Sequence, residues 1–83
     1  MKELFVVQSY SAGRRGAMRP DVPIQARDLG HAREVAKRLA VRKALVVAFM
    51  RKGDDDTGEW DDAKLIEAIG ANIPEEVLEM ERA

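Results

Sequence analysis

Six cations have the types and spacing of a binding set. Arg14 and Arg15 lie between glycines in Ser11-Ala-Gly-Arg-Arg-Gly16, Arg19 follows, and Arg33, Lys37 and Arg38 recur at helical spacing. Guanidinium forks hold phosphate oxygens bidentately, and lysines add point charge. If contiguous, the six would form an anion or nucleic-acid surface. The loop is not a P-loop, because the G-x-x-x-x-G-K-[ST] spacing fails, and it leads into no helix as a dinucleotide fingerprint would. Two features oppose a nucleic-acid reading. The aromatics are only Phe5, Tyr10, Phe49 and Trp60, and the phenylalanines read as core, which leaves no stacking platform. The pI of 5.8 is low for such a domain.

Other candidates are weaker. His31 is the only histidine and has no second ligand spaced for a metal and no orienting partner for acid–base work. Ser9 and Ser11 lack a G-x-S-x-G context. Asp54-Asp-Asp-Thr-Gly-Glu59 fails the EF-hand spacing and reads as an ordinary turn. Trp60 beside that turn is either a cross-strand packing residue or an exposed anchor for a partner. With no cysteine there is no disulfide, thiol nucleophile or Cys-held zinc. No nucleophile–base pair, carboxylate dyad or cofactor cradle can be read. The expectation is a non-enzymatic chain with no cofactor and no metal.

The elements that must position these residues are organised around Ala44-Leu-Val-Val-Ala-Phe-Met50, seven apolar residues in a row. The run is too short to span a membrane and suits a strand buried on both faces. Residues 3–10 read as a second such strand, with Leu4, Val6 and Tyr10 on one face and Phe5 and Val7 on the other. Residues 17–25 can return beside it as a hairpin, but Pro20 and Pro23 restrict that strand to an edge or an irregular path. Asp28 to about Arg42 is the clearest helix, with Asp28 as N-cap and Leu29, Ala32, Val35, Ala36, Leu39 and Ala40 on one side. Glu34 and Arg38 stand at i,i+4. Residues 59–70 are ambiguous: local propensity favours a helix, whereas a strand would pair with 44–50. A short helix opens at Pro74, with Val77 and Met80 on a narrow apolar stripe.

Eighty-three residues allow one domain, taken as 1–83. Leu4-Phe-Val-Val7 is too short for a secretory h-region, so the expected location is cytoplasmic. The net charge of −1 hides a split. Residues 1–52 hold 12 Lys/Arg against 4 Asp/Glu, and residues 53–83 hold 2 against 11, so the two parts carry +8 and −9.

Phe5-Val-Val-Gln-Ser-Tyr, the Gly-Arg-Arg-Gly turn, the helix, Val46-Val-Ala-Phe, Gly53-Asp, Thr57-Gly-Glu-Trp and Ile73-Pro-Glu-Glu together resemble a group of small uncharacterised bacterial proteins. The resemblance implies a hairpin–helix–hairpin order. It carries no function and no site residues. In that group the segment matching 59–69 is richer in valine and strand-like, and this chain departs there with Lys64, Glu67 and Ala68.

The expected fold is therefore α+β: a small, mainly antiparallel ββαββ sheet with one helix packed on one face and a short C-terminal helix. One helix covers one face, yet both central strands are apolar on both faces. The second face then needs cover from the C-terminal helix, a second copy or another protein. The expected function is a small protein-interaction or binding module, self-associating as a homodimer. The alternative is a nucleic-acid-binding protein using the Arg14-Arg15 loop and the basic helix face.

Overall fold

The fold is α+β, a curled antiparallel sheet with one main helix and one short one. The computed structural model describes residues 2–83. The apolar run becomes the centre of strand β4 (Leu45–Asp54), which pairs with strand β1 (Lys2–Ala12) from Lys2↔Gly53 to Tyr10↔Leu45. The outer edge of β1 is taken by two short strands, β2 (Met18–Pro20) and β3 (Ile24–Ala26). The break between them falls at Asp21-Val22-Pro23, where proline removes a ladder donor.

Helix α1 (Leu29–Ala40) begins as its sequence dictates. Asp28 is extended, and its carboxylate accepts the backbone N–H of His31 at 2.8 Å. The expected alanine-rich stripe faces the sheet: Ala32, Val35, Ala36 and Leu39 are buried against Val7, Val46, Ala48, Met50 and Ile66. Each fully buried Val, Leu, Ile or Met side chain there contributes about 1.5–3 kcal/mol, and the alanines less. The Glu34–Arg38 spacing does not close into an ion pair; among the described residues the ion pairs are Lys2–Asp55 and Lys43–Asp21.

Segment 59–70 is extended. It forms β5 (Glu59–Trp60) and β6 (Lys64–Gly70), both antiparallel to β4. The open edge of β4 overrides the local helix propensity, because its buried backbone groups need partners. A register shift opposite Ala48/Phe49 lets Leu65 enter the core of the second face and Ile66 the core under the helix.

The C-terminal helix is shorter than expected. α2 is one turn, Glu75–Leu78, with Pro74 as its N-cap residue rather than its first helical residue. Beyond it the chain becomes extended and joins the edge of β6 through Leu65 N–H to Glu81 O (2.7 Å) and Ala83 N–H to Leu65 O (2.8 Å). Two backbone bonds on a bare strand edge give the tail a docking place that further helix would not. On the way Ile73, Val77 and Met80 pack onto Leu45, Val47 and Leu65. The second face is thus half covered from within: a ridge lies over its β6 side, and the β1 side stays open.

Candidate functional site: a cationic arm and a half-covered sheet face

β1 runs two residues past Tyr10, the last residue it pairs with β4, and there it pairs only with β2. The result is a two-stranded arm projecting from one end of the sheet, in a molecule 42 Å long and only 23 × 21 Å across. Gly13 N–H to Ala17 O (2.6 Å) and Ala17 N–H to Arg14 O (3.1 Å) close its tip. The two central residues of that turn, Arg15 (φ 57°) and Gly16 (φ 75°), both have positive φ, the requirement of a primed hairpin turn. Glycine takes that conformation freely, whereas at Arg15 it carries a strain of about 1–2 kcal/mol.

A polar cluster fixes the base of the arm. Asp21 accepts hydrogen bonds from Ser9 Oγ (2.9 Å) and Ser11 Oγ (2.9 and 3.1 Å) and pairs with Lys43 Nζ at 3.2 Å. Lys43 Nζ also donates to Ser11 Oγ at 3.2 Å, and Gln8 Nε2 donates to Asp21 O at 2.6 Å. The Ser11 and Ser9 hydroxyls, followed by the Lys43 ammonium, hold the Asp21 carboxyl below its ordinary range, against the opposing effect of burial. Serine, lysine and aspartate so close together suggest nucleophilic catalysis, but the proton directions oppose it. Lys43 donates to both neighbours, Ser11 donates a hydrogen bond to the carboxylate, and these same contacts make that carboxylate a weaker base than an ordinary one. The cluster is a clamp joining β1, the Asp21 turn and the loop after α1.

The six expected cations divide into two sets. Arg14 and Arg19, with Ala12, Gly13 and Ala17, line one open concavity of about 580 Å³ on the arm, and Arg15 is exposed at the tip beside it. Arg33, Lys37 and Arg38 are exposed on the solvent side of α1, and none of them lines that concavity. None of the six takes part in an ion pair among the described residues.

Trp60 is half-buried and stands directly across from Gly53, where an added Cβ would overlap its ring. That favours the packing reading over the anchor. His31 belongs to the helix cap, its Nδ1 accepting the Arg27 backbone N–H at 3.1 Å. The Asp54–Glu59 acids serve their own turn, with Asp56 N–H bonded to Asp54 Oδ1 (2.9 Å) and Gly58 at φ 74°. Among the described residues no cluster of His, Asp and Glu has the form of a metal site. No helix among them is long and apolar enough to cross a membrane.

On the second face Leu4, Val6, Gln8 and Tyr10 of β1 and Phe49 of β4 are only half-buried. At the foot of the ridge lies an open groove of about 310 Å³, with Gln8, Tyr10, Val47 and Phe49 as its floor and Ala63, Val77 and Met80 as its wall. On the ridge Leu78 remains 65% exposed.

The Asp21 clamp is what sequence reasoning missed. Its signal was present: Ser9 and Ser11 continue the buried face of Phe5 and Val7, where a polar side chain needs a partner. No protein-family model matches the chain, and neither a curated protein nor a solved structure is significantly similar to it.

Proposed function

We propose that the chain is a small non-enzymatic interaction module that pairs with a second copy of itself through the second face of its sheet. The observation that carries this reading is the shape of that face. One half is a ridge bearing exposed Leu78, and the other is a half-exposed strip of Leu4, Val6, Tyr10 and Phe49. A ridge and a strip side by side are complementary to each other, so the surface is complementary to itself, as an isologous dimer requires. The complementarity also selects the symmetry axis. A two-fold parallel to the strands lays each ridge on the partner's strip, whereas one across the strands sets ridge on ridge. Pairing buries Leu78 and the half-exposed aromatics of both copies, a contiguous apolar surface that monomers seldom leave in water.

The test is light scattering across a dilution series, with Leu78→Glu alongside. Leu78 is exposed within one chain, so a glutamate there leaves the fold intact while placing a charge in the pair. The expected result is twice the chain mass for the parent and a folded monomer for the variant, judged by circular dichroism. A parent that stays monomeric at high concentration refutes pairing. A variant that dimerises as well as the parent refutes the ridge-on-strip arrangement.

A further inference from the structure

We propose that the arm is a grip for double-stranded DNA, with Arg14, Arg15 and Arg19 taking the phosphate backbone while the ribbon enters the major groove. Each copy carries its own arm, so the proposal stands apart from pairing.

Four observations carry it. The first is shape. A two-stranded β-ribbon is one of the two elements that a B-form major groove about 12 Å wide admits, and this ribbon extends past the sheet into solvent. The second is free charge. The three arginines are exposed on one short hairpin and none is in an ion pair among the described residues. A guanidinium left unpaired in this way has its planar fork available to a phosphate. The third is placement. The primed turn requires a left-handed backbone at Arg15 and Gly16, and it sets a charged side chain rather than a second glycine at the exposed tip. The fourth is preorganisation. The Asp21 clamp fixes both strands of the arm at its base, so little conformational freedom remains to be lost on binding.

The low pI does not oppose this reading once the charges are placed in space. The Lys43 contact with Ser11 shows that the C-terminal end of α1 meets the base of the arm. The acid turn Asp54–Glu59 closes the opposite end of β4, beyond the Lys2↔Gly53 pair. A polyanion that approaches the arm therefore meets its three arginines with the Asp54–Glu59 turn at the far end.

The experiment is fluorescence anisotropy with a labelled duplex DNA of about 20 base pairs, run from low to physiological salt. A duplex RNA of the same sequence is the control, because its major groove is too deep and narrow for the ribbon. For three phosphate contacts the logarithm of affinity should fall with the logarithm of salt at a slope of about −2.7 per copy. The variant Arg14→Gln/Arg15→Gln/Arg19→Gln should lose at least tenfold in affinity and most of the slope. The variant Arg33→Gln/Lys37→Gln/Arg38→Gln should stay within twofold of the parent. Four results overturn the proposal: no saturable binding at low salt, equal loss in the two variants, an arm variant that binds like the parent, or duplex RNA bound as tightly as DNA. The arm side chains are exposed, so their replacement does not threaten folding, and circular dichroism checks this. The Leu78→Glu variant, run alongside, keeps the two proposals distinguishable: it should still bind DNA as a monomer.

Discussion

The Asp21 carboxylate sits where three parts of the chain converge, and its protonation state is coupled to all of them. Two serine hydroxyls and an ammonium bond to the charged form, so folding lowers its pKa. A carboxylate lowered on folding contributes stability that is fully present above its unfolded value, near 3.9. That contribution is lost as pH falls through the lower, folded value. Asp21→Asn removes the charge at every pH. The variant should therefore unfold at lower urea than the parent at pH 7, and the gap should narrow steadily below about pH 4. Urea melts at several pH values check this. A gap that stays constant into strong acid would mean that the carboxylate's charge is irrelevant and only its shape matters. The same side chain shows why residue-scale reading is hard. Asp21 is 10 and 12 residues from its serine partners and 22 from Lys43, so no local pattern links them, although the alternation of β1 does place Ser9 and Ser11 on a buried face.

At the scale of elements, legibility follows how much of the information is local. β1, β4 and α1 were readable because each carries its own signal: an apolar run, a second apolar run, or a 3.6-residue stripe behind an N-cap. Segment 59–70 was not, because its Ala, Lys, Leu and Glu favour a helix, and only the open edge of β4 makes it a strand. The tail was half legible. Pro74 and two glutamates announce a helix start, but the stop after one turn is set by hydrogen bonds to Leu65, which no tail residue encodes. Of the site, the arginine loop was visible as a charged turn, while its extension into a free-standing arm depends on where β4 stops pairing. Because the tail covers half of a face, deleting residues 72–83 has a calculable effect. It strips three half-buried apolar side chains, Ile73, Val77 and Met80, from Leu45, Val47 and Leu65. The expected cost is roughly 3 kcal/mol, a large share of the stability of so small a chain. The truncated chain should keep its far-ultraviolet dichroism, unfold at lower urea and bind a hydrophobic dye. An unchanged urea midpoint would show that the ridge contributes nothing to the fold.

At the scale of the whole molecule, the +8 and −9 parts of the sequence mix, since β6 lies beside β4 and Lys2 and Arg51 sit next to the acid turn, but the arginine arm and the Asp54–Glu59 turn still stand at opposite ends. The arm and the C-terminal end of α1 form one end, and the Asp54–Glu59 turn with Asp61 and Asp62 forms the other. A ridge-on-strip pair, with its two-fold along the strands, keeps this polarity and doubles it: both arms leave from the same end. Opposite ends of separate pairs then attract each other head to tail. Such contacts are heterologous and do not close, so they build chains rather than discrete oligomers. Screening decides whether the chains exist. The Debye length is about 30 Å at 0.01 M salt and about 8 Å at 0.15 M, compared with a molecular length of 42 Å. The weight-average mass should therefore rise above that of a pair at 0.01 M salt, grow with concentration, and return to the pair value near 0.15 M. The arm variant with three glutamines should show no such rise, because it lacks the charge at one end. Added duplex DNA should dissolve the chains of the parent by competing for the arms. A mass that is independent of salt would mean that the two ends do not recognise each other, and the polarity would then act only to orient the molecule toward a polyanion.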